Sequence, residues 1–246
     1  MILIITNKIY YTLNKMKERN TKLLQRVFNE ENKYELSIDE AGRGCLFGRV
    51  YIACVVLPKQ IELFEGKDIK DSKKFSSKNK LNETADYIKQ HAYAWHIASI
   101  EHDEIDNINI LKSVMKGMHE CIRETMTKIN TKTNTQHRIE DFTAIIDGNY
   151  FTPFRQYDEI EQTIMEMPFN TVIHGDAIYM GIAAASILAK DARDSYVLQL
   201  CQEYPLLIEY YGLNTNMGYG TKHHLTGIET YGITQWHRRS YGIAKP

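Results

Sequence analysis

From residue 34 onward, short apolar runs alternate with longer stretches in which apolar residues recur every three or four positions. Tyr34, Leu36 and Ile38 alternate with Glu35, Ser37 and Asp39, the period-2 signature of a half-buried strand, which puts Asp39 on the polar face. Asp39-Glu40-Ala41-Gly42-Arg43-Gly44 turns the chain into residues 50–57, a continuous apolar run closed by Pro58. Such a run suits a central strand covered on both faces. A charged connection follows over 59–80, then a helix over 76–91 and a third strand over 92–100. Ile105, Ile108, Leu111, Met115, Met118 and Ile122 carry helical spacing, so one long helix is expected from 101 to 128. The Thr/Asn-rich segment 129–141 reads as a surface loop.

Two more short strands are expected, 142–146 ending at Asp147-Gly148 and 171–174 ending at Gly175-Asp176. Residues 181–202 open on Ala183-Ala184-Ala185 and predict a helix packed closely on a sheet. After Pro205 the chain is rich in Gly and Tyr, with one further helix around 222–230. Residues 1–33 hold Leu13, Met16, Leu23, Leu24, Val27 and Phe28 at loosely helical spacing among polar residues, which reads as a polar helical extension. Strands alternating with helices imply an α/β domain. Its expected organisation is an extension over 1–33, a catalytic unit over 34–204, and a C-terminal helical segment over 205–246.

Composition narrows this picture only slightly. The 246 residues suffice for a full core, and 43% hydrophobic with 25% charged residues is ordinary for a globular chain. No apolar run reaches the roughly 18–20 residues of a membrane span, and no secretory signal pattern is present. Cys45, Cys54, Cys121 and Cys201 are irregularly spaced, as expected of buried thiols in a reducing compartment, so the cytoplasm is the expected location. The net charge of −1 gives no global sign of a nucleic-acid binder, so any such binding must rest on local patches. His223, His224 and His237 lie among basic residues without ligand spacing, and a polar C-terminal face is the expected reading.

Three apolar strands each end at an acid beside a turn: Asp39-Glu40, Asp147-Gly148 and Gly175-Asp176. If those strands are neighbours, the acids can converge at one sheet edge. Gathered carboxylates repel one another unless cations neutralise them. An all-oxygen donor set favours Mg2+ or Mn2+ over zinc. Two such ions can activate water for in-line attack at phosphorus. Taken singly, an acid at a strand end is more often a turn residue or helix cap; the joint pattern is stronger, and spacing alone leaves both readings open. Gly42-Arg43-Gly44 can bring backbone close to a ligand or simply make a tight turn. Lys73 and Lys74, beside Lys67, Lys70, Lys78 and Lys80, fit phosphate contact or a solvated loop.

SIDEAGRGCLFG, DSKKFS, IIDGN, HGDAIYMGIAAASILAKDARD, MGYGT and HRRSYG occur in the order seen in ribonuclease HII, and the chain resembles that family from about residue 34 to 242. The resemblance implies a ribonuclease H-like mixed β-sheet flanked by helices, with a C-terminal helical extension. It implies an endonuclease that hydrolyses the RNA strand of RNA–DNA hybrids and nicks duplex DNA 5′ of a single embedded ribonucleotide, leaving 3′-hydroxyl and 5′-phosphate. The metal-binding acids would be Asp39, Glu40, Asp147 and Asp176, holding two Mg2+ or Mn2+ ions. The Gly42-Arg43-Gly44 backbone would meet the 2′-hydroxyl, Tyr219 would stack on the next sugar at the RNA–DNA junction, and Lys73 or Lys74 would hold a phosphate. A monomer without membrane association is expected.

Departures accompany the resemblance. Cys45 and Arg49 stand where prolines are usual, Met217 replaces a common lysine, His174 occupies a position that is often basic, and Asp191 replaces an apolar residue. The sister family, ribonuclease HIII, carries a larger N-terminal binding domain and a lysine in the glycine motif, so the short extension and Arg43 argue against it. A catalytically silent hybrid-binding protein would be expected to lack an acid, and none is missing. Lys190 and Arg193 are expected to pair with Asp191 and Asp194, and the basic tail from 236 to 245 to touch a duplex backbone.

Overall fold

A mixed five-stranded sheet forms the centre of the computed structural model, which describes residues 24–75 and 77–242, with the Lys74 side chain excluded. Its strands are β1 (Tyr34–Ala41), β2 (Val50–Val56), β3 (Ala94–Ile100), β4 (Phe142–Asp147) and β7 (Phe169–Val172), in the order β3-β2-β1-β4-β7. β2 runs antiparallel to β1 and β3, whereas β4 runs parallel to β1 and to β7. The expected α/β class and mixed sheet are therefore what the chain forms. β5 (Arg155–Asp158) and β6 (Thr163–Glu166) make a separate, largely exposed hairpin that the apolar pattern did not reveal.

Period-2 side-chain alternation sends each strand's residues to two covered layers. Leu36, Ile38, Val50, Ile52 and Cys54 join Val114, Met118 and Ile122 of a long helix (Ile110–Thr133) in one core. Tyr51, Ala53 and Val55 face the opposite layer with Ala183, Ala184 and Ala185 of the Ala-rich helix (Met180–Glu203). β1 is thus buried on both faces. Ser37 and Asp39, expected on a solvated face, lie beneath this second helix with Ser37 6% and Asp39 5% exposed. The helix can approach so closely because it is built from small residues. A Cβ on Gly181 would stand 2.2 Å from the Ser37 hydroxyl oxygen, so only glycine fits.

Other boundaries shift for local reasons. The expected single helix over 101–128 is two helices, His102–Ile108 and Ile110–Thr133, because Asn109 takes a left-handed φ of 70° and its side chain caps the second. That second helix consumes part of the expected loop over 129–141. Helices Leu206–Tyr211 and Leu213–Asn216 fill the Gly/Tyr-rich stretch ahead of Lys222–Tyr231. Together with Phe47, Val197 and Cys201 they build a third apolar cluster.

Residues 24–33 are not helical, which corrects the expected extension there; the helical expectation over 1–23 lies outside the described residues. Gln25 pairs in parallel with Tyr179, its N–H donating to the Ile178 carbonyl at 2.7 Å and its carbonyl accepting from Met180 N–H at 2.8 Å. The Arg26 guanidinium donates to the carbonyls of Pro58, Lys59, Gln60 and Phe64 at 2.7–2.9 Å. These backbone partners hold the segment extended, overriding its loose helical spacing. No helix among the described residues is long and apolar enough to cross a membrane.

Candidate active site

The parallel register pairs Ile38 with Ile146, so the next residues, Asp39 and Asp147, stand at the same level on neighbouring strands. Asp147 in turn pairs with Val172, at the end of the edge strand β7. Three residues on, a short 3-10 turn (Gly175–Ala177) carries Asp176. The Gly175 N–H donates to Asp147 Oδ1 at 2.7 Å and binds that turn to the strand end. Glu40 follows Asp39 and is half-buried at the sheet end. The acids of three strand ends thus share one edge.

Their electrostatics show the coupling. Burial, then the charges of Asp147 and Glu40, push Asp39 well above the usual carboxylate range. Burial raises Glu40 too, against the pull of Arg43, and Asp147 rises through burial and the charge of Asp176. Each acid leans on its own partner. Asp39 accepts from Glu40 N–H at 2.7 Å, while Arg43 Nη1 lies 3.4 Å from Glu40 Oε1. Lys73 Nζ stands 3.6 Å from Asp176 Oδ2. Partial burial works to lower the Lys73 ammonium, but the charges of Asp176, Asp71, Asp39 and Asp147 prevail and raise it. Among the described residues no three His, Cys, Asp or Glu side chains are gathered into one ion-sized cluster, so the four acids form an open set. Their oxygen chemistry and mutual repulsion fit hard divalent cations.

Ser186 anchors this edge from below. Its hydroxyl lies 3.0 Å from that of Ser72, which precedes Lys73, and its polarity works against the burial that raises Asp39. Seven residues along the same helix, roughly 10 Å at 1.5 Å per residue, Arg193 supports the glycine loop. Its Nη1 donates to Cys45 Sγ at 3.3 Å and to the Met217 carbonyl at 3.4 Å. Its guanidinium carbon lies 5.2 Å from the centre of the Tyr219 ring. Gly42 has φ +91°, and a Cβ there would meet the Arg49 carbonyl and the Arg193 stem. A Cβ on Gly44 would lie 3.9 Å from the Tyr219 ring, so the glycine loop and the half-exposed tyrosine form one surface.

Buried Arg238 completes the support, donating through Nε to the Gly48 carbonyl at 2.8 Å and through Nη1 to the Arg43 carbonyl at 3.1 Å. The tail reading is corrected at this residue: Arg238 is fully enclosed, and the Arg239 and Ser240 amides donate to Asp106. Lys245 and the Lys74 side chain lie outside the described residues. The histidine reading is corrected too. His224 and His237 are buried, with their Nε2 atoms 3.1 Å apart, rather than on a polar face. Lys190 and Arg193 both meet Asp194, at 3.2 and 2.6 Å, whereas Asp191 pairs with Lys89.

The departures find structural homes. Arg49 pairs with Glu101 at 2.6 Å over the Tyr196 ring, and the Cys45 thiol is buried against the Met217 carbonyl. Met217 and His174 both adopt left-handed φ. Ser186 was given no function from the sequence, Arg193 was expected only to pair with an acid, and Arg238 was expected at a duplex backbone rather than under the glycine loop. A polar residue closing an alanine run was the one legible signal for Ser186.

Comparison with known proteins bears on this geometry. The family described as Ribonuclease HII matches residues 36–243. The ribonuclease HII of Parabacteroides distasonis is 39% identical over 88% of this chain and 94% of its own length. Among solved structures, the ribonuclease H2 of Pyrococcus horikoshii OT3 superposes with TM-score 0.59 at 22% identity, over 86% of this chain and 95% of its own. A Bst-RNase HIII in complex with Mn2+ gives 0.59 at 16% identity, over 86% and 68%. At those identities the two structures speak for the fold.

Proposed function

The chain belongs to the ribonuclease HII family, and from that premise we propose that it hydrolyses the RNA strand of RNA–DNA hybrids and nicks duplex DNA 5′ of single ribonucleotides. The products would carry 3′-hydroxyl and 5′-phosphate ends, which suits removal of ribonucleotides from replicated DNA in the cytoplasm. The observation that carries this reading is the parallel register that sets Asp39 level with Asp147, with Asp176 drawn in by the Gly175–Asp147 hydrogen bond.

Asp39, Glu40, Asp147 and Asp176 are the residues that would hold two Mg2+ or Mn2+ ions. When bound, such ions supply an activated water and stabilise the leaving oxygen at phosphorus. Asp39 is oriented for this by its neighbour's amide, and Asp147 by Gly175. Lys73, with an exposed side chain yet within 3.6 Å of Asp176, is suited to neutralise a substrate phosphate beside the acids. The open backbone of Gly42-Arg43-Gly44 would read the 2′-hydroxyl that separates RNA from DNA. Tyr219, held against Gly44 and Arg193, would stack on the following deoxyribose. Residues 34–204 would form the catalytic unit, with 205–246 completing the substrate groove.

The test uses labelled duplexes carrying one ribonucleotide, a long RNA stretch or none, incubated with Mg2+, with Mn2+ and with chelator. Cutting of both RNA-containing duplexes, lost with chelator, is expected. Cutting of the all-DNA duplex, or cutting that survives chelation, defeats the reading.

A further inference from the structure

Beneath the surface shared by the glycine loop and Tyr219 lies a buried chain of polar atoms to which the proposed chemistry gives no part. His224 Nδ1 stands 3.0 Å from the Tyr219 carbonyl oxygen, its Nε2 3.1 Å from His237 Nε2, and His237 Nδ1 accepts from Thr234 N–H at 2.9 Å. Both rings are fully enclosed.

The two ends fix the protons. A carbonyl can only accept, so His224 Nδ1 bears hydrogen; the Thr234 N–H is aimed at His237 Nδ1 and can only donate, so that nitrogen bears none, and the Thr234 hydroxyl 2.8 Å away, itself accepting from Trp236 N–H, is left to donate to it as well. One proton then remains between the two Nε2 atoms. Placing it on His237 leaves both rings neutral, and the bonds run in one direction, from His237 Nε2 to His224 and from His224 Nδ1 to Tyr219. Placing it on His224 would leave a buried imidazolium facing an imidazolate, which an apolar interior does not support. Burial holds both rings below the usual histidine range, in keeping with that order.

The pair also spans two loops. His237 forms an antiparallel bridge with Phe47, three residues after Gly44, through the Arg238 N–H to the Leu46 carbonyl at 2.8 Å and the Gly48 N–H to the Trp236 carbonyl at 2.9 Å. Leu46 N–H in turn donates to the Gly218 carbonyl at 2.8 Å. We propose that the His224–His237 pair is a positioning strut that sets where Tyr219 stands relative to the Gly42-Arg43-Gly44 loop, and thereby tunes the preference for a lone ribonucleotide over a long hybrid. The second half of this inference rests on the reading of Tyr219 given above.

The experiment compares His224→Phe, which fills the space without a donor, with His224→Asn, whose amide nitrogen can replace Nδ1–H, in the full chain. Amide hydrogen exchange is followed at Leu46, Gly48 and Thr221, and kcat/KM is measured on the single-ribonucleotide and long-hybrid duplexes. His224→Phe is expected to speed exchange and to lower the ratio of the two kcat/KM values about tenfold, with His224→Asn, which restores the bond to Tyr219 but not the one to His237, falling between it and the parent. Unchanged exchange in His224→Phe, or an equal loss on both substrates, overturns the strut. Because His224→Phe could fail to fold, imidazole ¹⁵N shifts of the parent protein give a second arm. They should show proton-free His224 Nε2 and His237 Nδ1 at neutral pH, and a doubly protonated ring overturns the inference. Tyr219→Ala is the reference. If it leaves the ratio unaltered, the reading of Tyr219 falls along with the preference claim, and exchange alone upholds or overturns the strut.

Discussion

The Gly175 amide and the Asp147 carboxylate are 2.7 Å apart, and this bond joins a strand end to the turn that carries Asp176. It adds a direct tie between the turn and the central strand to those made by the β4–β7 ladder and the Gly148 N–H on the Val172 carbonyl. The same bond works against the burial that raises Asp147, so it keeps that acid nearer its ionised form.

Asp39→Asn should abolish cleavage while raising thermal stability in the absence of divalent cations. A carboxyl raised in the fold binds its proton there before the unfolded chain does, so ionised Asp39 costs stability at neutral pH. The expected gain in Tm is at least about 2–4 °C, the shift of roughly 1 kcal/mol in a chain of this size. Mg2+ should raise the Tm of the parent more than that of the variant. Thermal unfolding with and without the ion checks both statements, and retained cleavage or a lowered Tm would contradict them.

His237 works in the opposite sense. Burial and the neighbouring His224 push its value down from 6.5 to about 3. The unfolded histidine therefore takes up a proton at a pH where the folded one does not, and stability is lost as pH falls through that window. From pH 6.5 to 5 the loss from this group is about 2 kcal/mol. The raised values of Asp39, Glu40 and Asp147 oppose it, so the contrast is best read against His237→Gln, which removes the titration. A Tm that falls equally steeply with acid in parent and variant would count against this assignment.

Arg193→Lys keeps a cation beside Asp194 but loses the guanidinium fork under Cys45, Met217 and Tyr219. An expected loss of about 1–3 kcal/mol follows from the unsatisfied buried acceptors. Cleavage at a single ribonucleotide should suffer more than cleavage of long hybrids. Denaturant unfolding and paired kinetics report the two effects separately.

Arg26→Ala removes four hydrogen bonds to the carbonyls of residues 58–64 and frees the segment that pairs with residues 178–180 beside Asp176. With these bonds partly solvated, a cost of about 1–2 kcal/mol is expected. Faster amide exchange at Met180 would accompany it, and an unchanged rate there would show that the segment does not brace the turn.

Much of the candidate site was legible in the sequence. Asp39, Glu40, Asp147 and Asp176 are marked by apolar runs that stop at an acid, and the glycine motif by its composition, because strand endings and tight turns are local properties. Arg193 and Arg238 were not legible. In the sequence they sit among charged neighbours, as surface residues do, and only packing reveals them as enclosed and bonded to carbonyls of a distant loop. His224 and His237 misled for the same reason.

Periodicity by itself marked where the sheet's strands and its covering helices lie, since a repeat of 2 or 3.6 is written into adjacent positions, but it ran two helices together over 101–128 and put the last strand at 171–174 where β7 spans Phe169–Val172. Which strands are neighbours, in what register, and which polar groups find partners was decided only in three dimensions. β1 illustrates the difference. Its alternation announced a solvated face, yet a helix of glycine and alanine lies close enough to bury Asp39, because nothing along a strand records what another segment will lay across it.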